Sequence, residues 1–262
     1  MQSNNPVFNR SEAFSGRGVA PATQTAGMTA AELQDLYRQP SAGPVETGRM
    51  TYDDVVMRTA AVFALVLVGA GIGWFVAPGL AFPAMIVGLV LGLVNAFKKE
   101  PSPPLILAYG LVQGVFLGGI SLFFNSYWPG VAQTAVVATL AVFGVSLVAY
   151  KMRWIKVTEK FRSGMLLALG GYFVFALVSF GAAMFGVGDG WGFRTGFFGI
   201  AIGLFAVGLA ALTLLLDFDF IEKGVQQGLP ERYAWTAAFG LAVTLIWLYI
   251  ELLRLIAILR GE

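Results

Sequence analysis

The chain has 262 residues, of which 57% are hydrophobic and 12% are charged, and its formal net charge is +2. A soluble domain usually carries about twice that fraction of charged residues, so the composition indicates an integral membrane protein. The small net charge, with basic residues at the ends of apolar segments, argues against nucleic-acid binding. Because the sequence contains no Cys and no His, disulfides, thiolate nucleophiles and Cys/His zinc or haem sites are excluded.

The first fifty residues are polar and rich in Ser, Thr, Gly, Pro and Asn. They contain no apolar core next to a small-residue cleavage site, so we read no signal peptide and predict a disordered tail over 1–50. Thr29 and Glu32 have the spacing of a capping box, which is compatible with a short docking helix inside this tail. Residues 51–262 form the predicted membrane domain.

Seven apolar segments follow in chain order, and Asp53 and Asp54 precede the first at positions that suit a helix N-terminus. Each segment is near or above the ~20 residues that a helix needs to cross a bilayer. The sequence therefore predicts an all-α protein with seven transmembrane helices. The segments are 55–76, 81–97, 105–124, 131–150, 164–187, 193–222 and 233–259.

The basic residues between these segments are distributed unevenly. Lys and Arg occur before the first segment and after the second, fourth and sixth, whereas the opposite side carries only Arg194 and Arg260. Loops rich in Lys and Arg stay in the cytoplasm. We therefore expect a multi-pass protein of the cell inner (plasma) membrane, with a cytoplasmic N-terminal tail and a C-terminus outside.

Glycines recur at four-residue spacing within several segments, for example Gly69 and Gly73 in the first and Gly110, Gly114 and Gly118 in the third. Such spacing lets membrane helices approach closely. We interpret it as a packing signal that carries no information on chemistry.

Three acids end the sixth segment: Asp217, Asp219 and Glu222. Carboxylates at the end of a transmembrane helix are expensive, and the helix dipole there already favours cations. Asp219 can form an i,i+4 ion pair with Lys223. Asp217 has no basic residue three or four positions away, so it is the stronger functional candidate.

An aspartyl protease would need two facing carboxylates, but Asp217 and Asp219 are ~200° apart on one helix, so we expect no enzyme.

The seventh segment carries Glu251 and Arg254 at i,i+3 spacing, which predicts an intrahelical ion pair that lowers the insertion cost of both. Alternatively, Glu251 is an outer cation station, with Thr244 and Gln113 as neutral oxygen ligands between it and Asp217. Carboxylate and carbonyl oxygens suit hard cations such as calcium. No resident metal or cofactor is assigned.

Three stretches, 111–121, 216–221 and 248–259, resemble those of the Bax inhibitor-1/YccA-like membrane proteins, in a branch with a long polar N-terminus that looks actinobacterial. The resemblance implies seven helices with the last one central. It also implies either a calcium leak controlled by pH, or a role in stress protection or in restraining a membrane protease.

The resemblance assigns residues as well. Asp217 matches the family's sixth-helix aspartate, and Thr244 falls where leak-forming members have a second aspartate that completes a hydrogen-bonded gate. Gln113 stands where many members have Glu. A threonine can accept a hydrogen bond but cannot share a proton as a second carboxylate does.

Two functional hypotheses follow. The first is a slow, pH-modulated leak for calcium or another cation, with Asp217, Asp219, Thr244, Glu251 and Gln113 along or near its pathway. The second is a membrane-embedded regulator that binds a membrane protease or a stress-response partner through its tail.

Overall fold

The computed structural model describes residues 48–186 and 192–261. The predicted tail up to residue 47, including Thr29 and Glu32, lies outside them. Seven long α-helices fill the described residues, which contain no β-strand, and all seven are apolar and long enough to cross a membrane. They are α1 Tyr52–Gly71, α2 Ala81–Phe97, α3 Pro103–Tyr127, α4 Val131–Lys151, α5 Glu159–Met184, α6 Gly196–Gln226 and α7 Ala234–Gly261. The predicted fold class is confirmed.

Polar side chains cap the starts of α1 and α5. Thr51 caps α1: its hydroxyl accepts from the Asp54 amide, and the Asp54 carboxylate accepts from the Thr51 amide at 2.9 Å. This reciprocal arrangement satisfies two amides that a helix start leaves free. The capping role predicted for Asp54 is confirmed, whereas Asp53 lies exposed in the first turn. Thr158 caps α5 by accepting from the Phe161 amide at 3.2 Å.

Helix α1 does not end cleanly. It continues as a π-helical turn over Ile72–Val76, and a 3-10 turn over Pro78–Leu80 leads into α2. Proline supplies no amide donor and suits the first position of a helix. The break therefore falls where the sequence contains Pro78 and Gly79.

Helix α7 forms the centre of the bundle and contacts α1, α3, α4 and α6. In its most apolar 18-residue window 67% of the residues are buried, against 11% for α2 and 17% for α5. Helices α2 and α5 therefore turn most of their apolar side chains towards lipid, and the central place expected for the seventh helix is confirmed.

Helices α1 and α3 pack backbone to backbone. A Cβ atom placed on Gly114 would collide with the Val66 carbonyl oxygen, and one on Gly118 would collide with that of Ala70. Gly69 meets the backbone of α3 in the same way. The glycine spacing thus has the packing role that the sequence predicted.

Several contacts join the helix ends on the side of the bundle that carries Asp217. Arg58 of α1 forms an ion pair with Glu231 just before α7. The Met50 amide donates to the Leu229 carbonyl at 2.7 Å, and the Glu231 amide donates to the Gly48 carbonyl at 2.9 Å. The chain leading into α1 is therefore fixed to the loop between α6 and α7.

Candidate functional site

Asp217 and Thr244 connect α6 to the central helix. The Thr244 hydroxyl donates a hydrogen bond to Asp217 Oδ2 at 2.7 Å. Thr244 is buried, whereas Asp217 is partly exposed. Gly240 of α7 lies beside the carboxylate: a Cβ atom at that position would be 3.5 Å from Oδ1, an ordinary van der Waals contact.

Asp217 has no ion-pair partner among the described residues, and its Oδ1 accepts no hydrogen bond from them. The carboxylate thus has one oxygen held by α7 and one oxygen open to a proton, a water molecule or a cation. Carboxylate oxygens are the usual ligands of hard cations. This is the chemistry that a cation pathway would need at this position.

The carboxylate of Asp219 contacts two cations instead of Thr244, and they neutralise its charge. Its Oδ2 lies 2.7 Å from Lys223 Nζ and 3.1 Å from Arg162 Nη2 of α5. The Lys223 pair is the one that the i,i+4 spacing indicated. Arg162 was not foreseen, because it lies 57 positions away in the sequence. With two cations on its carboxylate, Asp219 offers less negative charge to a passing ion than Asp217 does.

Glu222 is held by two partners from the end of α4 and by one from its own helix. Tyr150 and Arg153, at the end of α4, both donate to it, and Gln226 donates to Oε1 at 3.1 Å. Hydrogen bonding to Glu222 raises the pKa of the Arg153 guanidinium above its ordinary value. Of the three acids at this end of α6, only Asp217 therefore lacks a cationic partner in the described structure.

A second polar cluster is buried at the opposite end of the bundle, around Glu251. Only 3% of this residue is exposed. Oε2 accepts from Arg254, whereas Oε1 accepts from Tyr172 of α5, from Trp247 at 3.3 Å and from Arg194 at 3.5 Å. The predicted Glu251–Arg254 pair is present. Both carboxylate oxygens are occupied, so a cation at Glu251 would have to displace a donor.

This second cluster holds two guanidiniums for one carboxylate. Burial, and secondarily the charge of Arg254, lowers the pKa of Arg194 from its ordinary value, but an arginine remains charged in proteins. Arg194 also lies 5.3 Å from the Tyr172 ring centroid, a cation–π distance. The described residues of the cluster therefore carry one net positive charge, which is unfavourable for a cation station.

Gln113 is hydrogen-bonded to neither cluster in the described residues. Its side chain packs against Gly88 of α2, where an added Cβ atom would be 2.9 Å from the Gln113 amide nitrogen. Its buried Oε1 has no hydrogen-bond partner among the described residues. The structure thus brings Asp217 and Thr244 together, but no hydrogen bond links Gln113 to Asp217, Thr244 or Glu251 in the described part of the chain.

The comparison with protein families gives one match. A family model described as Bax inhibitor 1 like matches residues 5–261, nearly the whole chain. The chain belongs to the Bax inhibitor 1-like family. A comparison with curated proteins gives no match.

Family membership connects the Asp217–Thr244 contact with the carboxylate pair that the resemblance implied. The sequence resemblance assigned Thr244 to the position of a second carboxylate, and in the structure Thr244 is the hydrogen-bond partner of Asp217. This member of the Bax inhibitor 1-like family thus has a dyad of one carboxylate and one hydroxyl. A hydroxyl can donate a hydrogen bond to the carboxylate and can also accept a hydrogen bond from a protonated carboxyl.

No group of three or more Asp or Glu side chains in the described residues has the arrangement of a metal site. The acids instead fall into separate positions, with a different partner set around each of Asp217, Asp219, Glu222 and Glu251.

Proposed function

We propose that the protein is a slow cation leak, with calcium as the first ion to test, and that Asp217 and Thr244 form its gate. One observation carries the proposal: Asp217 bridges α6 and α7 through Thr244 while its second oxygen accepts nothing from the described residues. The other two acids at the end of α6, Asp219 and Glu222, are paired with cations. A lone carboxylate at the end of a membrane helix is a functional residue by default.

The gate we propose has two hydrogen-bonding states. With Asp217 ionised, Thr244 donates and the two helices are joined. A protonated Asp217 is a neutral carboxyl that can donate as well as accept, so the Thr244 hydrogen bond either loses its charge assistance and weakens or reverses its direction. Flux would then change with pH through one carboxyl group, since no second carboxylate shares its proton.

We assign the ends of the bundle by their charges. The side that carries Asp217 also carries the basic residues of the loops after α2, α4 and α6. By the positive-inside rule this side is cytoplasmic, in the cell inner membrane, and the C-terminus is outside. Reporter fusions after Gly261 and after Arg153 test this assignment: a reporter active only in the periplasm or outside should work at the first position and fail at the second.

The leak is tested in proteoliposomes that contain the purified chain. We expect calcium flux that varies across roughly pH 5 to 8, the range in which a carboxyl with a pKa raised by desolvation can titrate. Asp217→Asn should abolish the flux or make it independent of pH. Asp53→Asn, which removes an exposed acid from the first turn of α1, is the matched control and should behave as wild type.

Two results would contradict the proposal. Folded protein that conducts no more than empty liposomes would reject the leak. Flux that keeps its pH dependence in Asp217→Asn would remove this carboxylate from gating even if the protein conducts.

The second candidate function is a regulator that acts on a membrane protease or a stress-response partner through the N-terminal tail. The junction before α1 favours it, because Gly48 and Met50 bond to the α6–α7 loop and Met50 is only 1% exposed. A partner that pulled on the chain before α1 would therefore transmit force through the α6–α7 loop to α6, the helix that carries Asp217. Deleting residues 1–47 discriminates: a leak should still conduct, whereas a regulator should lose its partner.

A further inference from the structure

Helices α1 and α4 leave a groove between them. Both pack on α3 and α7, but α1 and α4 make few or no contacts with each other. The resulting cavity has a volume of about 720 Å³. Its floor includes Ser121 of α3 and Tyr249 of α7, whose hydroxyls bond to each other at 2.6 Å. The hydroxyls of Ser121 and Tyr249 are thereby satisfied, whereas the buried hydroxyl of Thr59, which also lines the cavity, has no hydrogen-bond partner among the described residues. The remaining surface is almost wholly apolar.

The groove is open to lipid along its side. Leu67 of α1 and Val136 and Leu140 of α4 line it, and all three side chains are also exposed on the bundle surface. On α4 the lining runs from Ala132 to Phe143, a rise of ~16 Å along the axis, and on α1 with its π-helical turn it runs from Thr59 to Trp74, a rise of ~22 Å. The groove therefore extends over at least half of the ~30 Å hydrocarbon core, which is enough for the acyl chain of one leaflet.

A positive charge stands at one end of this groove. Arg260, the last basic residue of α7, reaches over the start of α4 and donates to the Pro129 carbonyl at 2.8 Å and to Thr134 Oγ1 at 3.4 Å. Thr134 directly follows Gln133, which lines the groove. Arg260 is exposed and has no carboxylate partner among the described residues, so its charge is available to an anion from the adjacent headgroup layer.

We propose that this groove is a binding site for one phospholipid, with an acyl chain between α1 and α4 and the phosphate at Arg260. A guanidinium matches a phosphate in charge and geometry. Gln133 and the nearby indoles of Trp74 and Trp128 lie at the same end, where amphipathic side chains normally meet the headgroups. The site is separate from Asp217 and does not depend on the leak.

Two adjacent valines of α4 provide a matched test. Val136 lines the groove and is 47% exposed, whereas Val137 is 67% exposed and does not line it. The substitution Val136→Trp should fill the groove, and Val137→Trp adds the same side chain to the lipid-facing surface. Bound lipid is counted by native mass spectrometry of the full chain, washed in detergent and then supplied with palmitoyl-oleoyl phosphatidylglycerol, phosphatidylcholine or a diacylglycerol.

We expect wild type and Val137→Trp to retain one phospholipid of either headgroup per chain, and Val136→Trp to lower that occupancy by about tenfold. Arg260→Gln should weaken retention by about fivefold, since one charge-assisted contact at an exposed site is lost. Diacylglycerol, which has no phosphate, should be retained poorly by wild type and equally poorly by Arg260→Gln.

Equal retention by Val136→Trp and Val137→Trp would overturn the proposal, as would a wild-type chain with no retained lipid. A dimer in which Val136→Trp blocks association would also overturn it, because the groove would then hold a second copy of the chain. If Val136→Trp fails to elute as a folded species, Leu140→Trp, on the next turn of the same groove wall, replaces it in the same comparison.

Discussion

Replacing Glu251 by Gln tests the charge balance of the buried cluster most directly. The substitution keeps the size of the side chain and one acceptor oxygen but removes the only negative charge near Arg254 and Arg194 in the described structure. Two guanidiniums would then remain beside each other with little access to water. Removing one partner of a buried ion pair typically costs about 3–5 kcal/mol, because it leaves an uncompensated charge.

We expect the free-energy cost of Glu251→Gln to lie near the upper end of that range, at about 5 kcal/mol. Glu251 is 3% exposed, and the Tyr172 and Trp247 donors would lose a charged acceptor in addition. For a domain of this size each kcal/mol shifts the melting temperature by roughly 2–4 °C. We therefore expect Tm to fall by roughly 10 to 20 °C for a loss near 5 kcal/mol, measured by scanning fluorimetry in detergent.

Arg194→Gln is the informative comparison. It removes the second guanidinium and leaves the Glu251–Arg254 pair balanced, so we expect a loss of less than ~2 kcal/mol, mainly from packing against Tyr172. Glu231→Gln, at an exposed ion pair with Arg58, should change stability by at most ~1 kcal/mol. The reasoning would be refuted if Glu251→Gln melted within a few degrees of wild type, or if Arg194→Gln were the more damaging change.

Three further predictions follow from the same contacts. Thr244→Asp should place a second carboxylate against Asp217; the two cannot readily both ionise at hydrogen-bond distance, so flux in proteoliposomes should become more strongly pH-dependent than in wild type. Asp219→Asn should leave calcium flux and its pH dependence unchanged and cost about 1 kcal/mol in a melting assay, because its basic partners are partly exposed to solvent. Gly114→Leu should abolish the yield of monodisperse protein in size-exclusion chromatography, whereas Gly171→Leu, where an added Cβ atom meets nothing within 4 Å, should preserve it.

The sequence predicts the membrane-spanning core of each helix well, but it places the ends imprecisely. The fifth segment was expected from residue 164, whereas α5 begins at Glu159 after the Thr158 cap. The sixth was expected to end at Glu222 but continues to Gln226, before Gly228 adopts φ +64. Apolarity marks the part of a helix inside lipid, but charged turns can extend the same helix into the interface.

Ion pairs between residues of one helix were likewise predictable, whereas those between residues far apart in the sequence were not. The spacing of Asp219 and Lys223, and of Glu251 and Arg254, brings each pair together on one helix face. The contacts of Arg162 with Asp219 and of Arg194 with Glu251 each span 57 positions. They depend on how α5 and α6 are placed, which no periodicity reveals. Trp247, at mid-depth in the seventh segment, is a local signal of a polar partner, because a buried indole N–H usually finds an acceptor; that acceptor is Glu251.

The close packing of α1 on α3 limits where motion can occur in this bundle. With Gly69, Gly114 and Gly118 pressed against carbonyl oxygens of the facing helix, these two helices cannot slide or rotate without breaking backbone contacts, so they form a fixed frame. The bond between Thr244 and Asp217 joins α7 to a helix outside that pair. We therefore expect conformational change to displace α6 relative to α7. Spin labels on α6 and α7 would measure this distance, and the distance between labels on α1 and α3 would serve as the internal reference.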